Sequence, residues 1–200
     1  MTTVRAFVAI ELSDEAVTKI IQLQSHLKGV SPPKTVRWTV AQNVHLTLHF
    51  LGDVAVDDLK NAAHAVGSAA AGCPAFSLHL AGLGCFPNTR RPRIVWVGVT
   101  GDTGTLTKLH QALGDQLNRQ IGFQPESRPY SPHLTIGRVK QGIPQRRLEQ
   151  LGQVLEQETL QVGQLVTLPV TEVQLIQSDL KPEGPIYTPL ARGELKNNKL

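Results

Sequence analysis

Two four-residue stretches, His45-Leu46-Thr47-Leu48 and His133-Leu134-Thr135-Ile136, begin 88 positions apart, each alternating polar with apolar side chains. That alternation marks a strand with one packed face and one open face, because successive strand side chains project to opposite sides. Leu46, Leu48, Leu134 and Ile136 then point into a core, and each His shares the open face with its Thr. A chain that must half-bury two such strands needs sheet structure with other elements covering the apolar side.

Periodicity supplies those elements. Residues 4–10 read as a buried strand, and Ser13 or Asp14 caps a helix running to about Gly29, before the Ser31-Pro32-Pro33 break. A short strand over 36–39 and a longer one over 44–51, closed by Gly52 and Asp53, lead to a helix over 57–71. Residues 76–83 and 93–99 read as strands around a loop over 84–89, followed by a helix over 105–120 that Gly122 stops. A strand within 129–139, a helix over 145–158, strands over 166–177 (interrupted by Pro169) and 186–195, and a frayed tail over 196–200 complete the chain. With no strict βαβ cadence, this order predicts an α+β fold, helices packed on the outer faces of largely antiparallel sheets. Residues 1–200 form one domain, with motif one at 45–48 and motif two at 133–136.

Composition narrows the partners. Twenty Lys+Arg against 16 Asp+Glu give a net charge of +4, which suits an anionic partner without specifying one. The arginines gather as Arg90-Arg91 with Arg93, as Arg128 and Arg138, and as Arg146-Arg147; a solvated face is the simplest reading of each. The longest apolar run, residues 6–10, is too short for a membrane span or a secretory h-region, so a cytoplasmic chain with no membrane partner is expected. Cys73 and Cys85 build no disulfide framework and no metal-ligand pattern, and read as small buried hydrophobes.

The open faces carry the chemistry. A His with a Thr about 7 Å further along a strand sets a proton carrier beside a neutral hydroxyl able to donate to an anionic oxygen. Two such units, opposed across a cleft, suit in-line displacement at phosphorus: one imidazole deprotonates water while the other protonates the leaving oxygen. The threonines then hold the nonbridging oxygens, so a metal ion is not required. A single His-x-Thr on a strand is an ordinary surface or core pair; the repeat makes a two-histidine site the leading reading.

The residues also resemble a known family, the two-histidine phosphoesterases, and within it the RNA 2′,3′-cyclic phosphodiesterases, also called 2′-5′ RNA ligase-like proteins. The match runs from Arg5-Ala6-Phe7-Val8-Ala9-Ile10 through Trp38 and His45-Leu46-Thr47-Leu48-His49-Phe50-Leu51-Gly52 to Gly82-Leu83-Gly84-Cys85-Phe86-Pro87. It continues through Arg93-Ile94-Val95-Trp96-Val97-Gly98, Arg128-Pro129-Tyr130-Ser131-Pro132-His133-Leu134-Thr135-Ile136-Gly137-Arg138, Ser178 and Tyr187. The resemblance implies a bilobal fold of two pseudo-twofold-related antiparallel sheets around a central cleft. It implies that His45 is the proton donor to the ribose 3′ oxygen, His133 the acceptor that activates water, and Thr47 and Thr135 phosphate ligands. The implied reaction is hydrolysis of an RNA terminal 2′,3′-cyclic phosphate to a 2′-phosphomonoester by a monomer without cofactor, the substrates extending to tRNA fragments or cyclic nucleotides. Reversible 2′-5′ RNA ligation at the same site, or a non-catalytic module that holds RNA ends, are the alternatives.

Weaker substrate candidates surround these four. His49 shares the His45 face under strict alternation, where it either lines the cleft or is solvated. Arg128 ranks above Arg138, which alternation puts opposite His133, and Tyr130 or Phe86 offers a ring for base stacking. His45 and His49 have the i,i+4 spacing of a helical zinc pair but lack the Glu after the first His, and on a strand they would stand about 13 Å apart. Gly82-Leu83-Gly84 lacks the third glycine of a dinucleotide loop, no phosphate-binding G-x-x-x-x-G-K-[ST] run occurs, and Lys181-Pro182-Glu183-Gly184 reads as a turn rather than a nucleotidyl-lysine motif.

Overall fold

Local signals fix most of the elements. The computed structural model describes residues 2–182 and 184–197. The apolar run near the start is β1 (Thr3–Glu11), and the Ser13 hydroxyl accepts from the Ala16 amide to cap α1 (Asp14–Val30). After β2 (Val36–Trp38), β3 (His45–Ala55) carries the first motif and α2 (Leu59–Ala71) follows. β4 (Phe76–Phe86) and β5 (Ile94–Gly101) precede α3 (Thr103–Ile121), which Asp102 caps and which Gly122 ends at φ 69°. β6 (His133–Val139) carries the second motif, followed by α4 (Gln145–Gln161), β7 (Gln164–Val170), β8 (Glu172–Lys181) and β9 (Gly184–Glu194).

Three boundaries move from the sequence reading, each because strand pairing overrides local signals. β3 passes through Gly52, whose φ of 69° lets the strand kink and continue against β1. β4 extends to Phe86, so Gly84 to Phe86 are strand rather than loop, paired with Trp96 to Ile94. The stretch over 166–177 is two strands: Pro169 lies in β7, an edge strand where its missing N–H costs no ladder bond, and β8 starts after Thr171. Lys196, expected to fray, bridges Pro74, while residues 198–200 and Glu183 of the expected turn lie outside the described residues.

The architecture is α+β. The strands form one antiparallel sheet in the order β7-β4-β5-β6-β3-β1-β8-β9, with β2 added beside β6. The expected pair of sheets is thus a continuous path whose halves meet at β3 and β6 through a single register pair, Leu46 with Leu134. All four helices feed one core that includes Leu46, Leu48, Leu134 and Ile136. The other face holds a small separate cluster of Phe7, Ala9 and Ile176 with Tyr187 against it. That division leaves the second face for the site. No helix among the described residues is long and apolar enough to cross a membrane.

Candidate active site

The Leu46–Leu134 pair is the pivot of the site. Extending its antiparallel register by one residue each way sets His45 beside Thr135 and Thr47 beside His133, all four on the face away from the helices. In regular pairing the two histidines then occupy a diagonal with Cβ atoms about 7–8 Å apart. Each His is held in the same way: His45 Nδ1–H donates to the Asn43 carbonyl at 2.9 Å, and His133 Nδ1–H to the Ser131 carbonyl at 2.8 Å. A carbonyl only accepts, so it fixes the proton on Nδ1 of the neutral ring and leaves Nε2 for chemistry.

The surroundings of the two rings differ. His45 stacks on Phe7 with centroids 4.6 Å apart and meets the edge of Tyr187 at 5.3 Å. Burial holds its pKa below the ordinary imidazole value; the Asn43 bond works against that shift and the Arg138 charge adds to it. His133 meets Phe86 edge-on at 4.9 Å, and its bond to Ser131 is exposed where that of His45 is partly buried.

Both motif strands carry a β-bulge at the same place. On β3, Ala9 pairs with Thr47 and Val8 with His49, which leaves Leu48 without a partner; on β6, Trp96 pairs with Thr135 and Val95 with Gly137, which leaves Ile136 over. Each extra residue inverts the face of everything after it. His49 therefore leaves the His45 face and is buried at 5% exposure, stacked on His110 of α3 at 4.1 Å with Nε2–H donating to the His110 carbonyl. It neither lines the cleft nor meets solvent, and it cannot share an ion with His45. Arg138, expected opposite His133, joins the His133 face, exposed and close enough for its charge to act on His45 and Tyr187. Phe50, at the matching position after the first motif, is 61% exposed beside Phe7.

The weaker candidates separate. Tyr130 is a packed residue rather than a stacking platform: its ring lies on His110 at 4.0 Å, and its hydroxyl donates to the Thr47 carbonyl at 3.0 Å. Phe86 stays on the cleft face between His133 and Trp96. The Trp96 indole lies flat over Gly84, where a Cβ would sit 2.3 Å from the ring. Arg128 is exposed in the segment before β6, with no hydrogen bond or ion pair among the described residues.

A sequence model of the 2′-5′ RNA ligase superfamily matches residues 37–182. The chain belongs to that superfamily. It is 37% identical to the RNA 2′,3′-cyclic phosphodiesterase of Methanothermobacter thermautotrophicus, over 92% of this chain and 95% of that one. It is 34% identical to the protein of the same name from Aquifex aeolicus, over 94% and 95%. Escherichia coli LigT complexed with 3′-AMP has the same fold, with a TM-score of 0.73 at 28% identity over 97% and 99% of the two chains.

Within this superfamily fold, sequence reasoning missed three supporting residues. Arg37 on β2 pairs with Arg138, so two exposed arginines leave the same face side by side, an arrangement that favours an anion between them. Gln24, 4% exposed on α1, donates from Nε2 to the carbonyls of Ile136 and Thr39, each at 2.8 Å, and so pins the second bulge from below. Asn43, whose carbonyl holds His45, ties the site to the β9 end through its amide and the Pro185 carbonyl at 3.1 Å. A polar residue on the apolar face of α1 was the one available signal for Gln24.

Proposed function

We propose that this chain hydrolyses the 2′,3′-cyclic phosphate at the end of an RNA strand to a 2′-phosphomonoester, by metal-independent acid–base chemistry. The observation that carries the reading is the matched pair of imidazoles on one face, each with Nδ1 on a carbonyl two residues before it and Nε2 without a hydrogen bond among the described residues. The superfamily and the names of its relatives point to the same substrate. Water attacks phosphorus as His133 Nε2 removes its proton; the bond from phosphorus to the ribose 3′ oxygen breaks, and His45 Nε2–H protonates that oxygen. One water is consumed, and a 3′-hydroxyl and a 2′-phosphate remain. Thr47 and Thr135 donate to the nonbridging oxygens, and Arg138 offsets the charge that gathers there.

Burial disfavours the charged form of His45, and an anionic substrate bound beside it favours its protonation. Both cysteines are free thiols, which suits the reducing cytoplasm, where the proposal places the reaction. The test is incubation of chelator-treated protein with an oligonucleotide ending in a 2′,3′-cyclic phosphate, with the phosphate position read from the product. Turnover to the 2′-phosphate, lost by at least about 100-fold in His45→Ala and His133→Ala, is expected; near wild-type turnover in either variant would sink the assignment. The superfamily's description supports reversible 2′-5′ joining as a second reading, which 5′-hydroxyl RNA added to the same assay would reveal as a longer product.

A further inference from the structure

Two arginine clusters that are remote in sequence meet at one end of the cleft. The loop from Phe86 to Ile94 carries Arg90, Arg91 and Arg93, and the first turn of α4 carries Arg146 and Arg147; all five are exposed. The loop is docked on that helix. Thr89 Oγ1–H donates to Glu156 at 2.5 Å, and the Gln145 side-chain amide donates to the Arg90 carbonyl at 3.5 Å. The Thr89 carbonyl lies so close to Gly152 that a Cβ there would stand 1.9 Å from its oxygen. Asn88 Oδ1 accepts from the amides of Arg90 and Arg91 at 3.1 and 3.0 Å, which holds the loop backbone in shape.

Nothing in folding accounts for this concentration of charge. Among the described residues none of the five arginines has a carboxylate within ion-pair distance. Arg146 and Arg147 sit at the positive end of the α4 dipole, in a first turn with no acidic residue and no side-chain cap. Like charges held near one another on a braced loop repel, and a polyanion laid across them relieves that repulsion.

Position says which polyanion. Phe86, whose ring meets His133, is the last residue before the loop, and Arg93 is backbone-bonded both to Phe86 and to Val139 at the end of the second motif strand. Arg138 pairs with Ile94 at the same end, so positive charge continues from the cleft onto the loop and α4. We infer that Arg90, Arg91, Arg93, Arg146 and Arg147 form a platform for the phosphodiester backbone of the single-stranded RNA leading to the cyclic end. This rests on the reading of the cleft as the site for that end. It makes an RNA strand, rather than a mononucleotide, the preferred substrate.

The test compares wild type with an Arg91→Gln, Arg146→Gln, Arg147→Gln triple variant, all three changes being on the surface. Substrates are a ten-nucleotide RNA with a 2′,3′-cyclic phosphate and a mononucleoside 2′,3′-cyclic phosphate. Expected for the variant is a rise in KM of about tenfold or more on the oligonucleotide with kcat unchanged, and unchanged constants on the mononucleoside. The slope of log affinity against log salt for the oligonucleotide should fall by roughly 0.7 per lost phosphate contact, about 2 in all. Fluorescence anisotropy with RNA ending in a 2′-phosphate reads the platform without turnover. If wild type turns over no cyclic phosphate, the cleft reading fails while the anisotropy still decides the platform. Equal RNA affinity of the two proteins, equal losses on both substrates, or wild-type binding of polyglutamate in preference to RNA would each overturn it.

Discussion

The Tyr130 hydroxyl donates to the Thr47 carbonyl at 3.0 Å, so the segment leading into the second motif holds the backbone of the first. The two motif strands share only one register pair, and this bond is a second tie between the halves of the site. Tyr130→Phe keeps the ring on His110 but leaves the Thr47 carbonyl without this donor. A stability loss of about 1–3 kcal/mol by urea denaturation is expected, with a fall in kcat larger than any rise in KM. Unchanged kcat would show that Thr47 is positioned without Tyr130.

The pH dependence of kcat/KM follows from the environment of His45. As the acid, His45 must be protonated, so activity falls as pH rises through its pKa, which burial holds below 6.5 in the free protein. The alkaline limb should therefore lie below 6.5, and that of kcat should lie higher because the bound phosphate favours the imidazolium. Arg138→Gln removes a nearby positive charge and should move the limb of kcat/KM upward even as the rate drops. A limb that stays in place in this variant contradicts the placement of Arg138 beside His45.

Gln24 gives a prediction remote from the reacting atoms. Gln24→Leu preserves the size of the buried side chain and strips two carbonyls, Ile136 and Thr39, of a donor. The bulge that aims Arg138 loses its support, and kcat should fall about 10- to 100-fold while far-ultraviolet circular dichroism stays native. Loss of stability with full kcat would show that pairing with β5 alone sets the bulge.

His110 ties acid sensitivity to the packing under the first motif. Burial and the neighbouring His49 lower its pKa from 6.5 to about 4, and His49 is itself lowered by burial, with Glu126 acting in the opposite sense. The unfolded chain binds the proton more readily, so this contribution to stability is present above 6.5 and is lost as pH falls toward 4. Urea midpoints should drop over that window, and His110→Phe, which keeps a ring between His49 and Tyr130, should flatten the drop. A profile as steep as that of the wild type in the variant would assign the acid sensitivity elsewhere.

The pivot pair carries a stability prediction. Leu46 and Leu134 are both fully buried at the junction of the halves, and Leu46→Ala should cost about 2–5 kcal/mol in thermal or chemical unfolding. A cost under 1 kcal/mol would mean that the junction closes around the missing atoms.

Much of this molecule was legible residue by residue. The alternation in both motifs put Leu46, Leu48, Leu134 and Ile136 in the core and each His with its Thr on the other face, as they lie. Ser13 and Gly122 marked helix ends because capping and left-handed φ are local chemistry. Alternation then failed two residues beyond each Thr, at His49 and Gly137, since a bulge arises from the partner strand and leaves no mark in the strand that bends. Arg128 was ranked above Arg138 for the same reason.

The sequence by itself determined which side chains carry protons and hydroxyls, and that they come in two matched sets on half-buried strands, because side-chain period is a property of the strand alone. Tertiary structure decided which side chains join them. The unpaired Leu48 and Ile136 swap His49 into the core and Arg138 into the cleft, and the docking of one loop on α4 gathers five arginines from two parts of the chain. Both follow from hydrogen bonds between segments far apart in sequence, which no local pattern encodes.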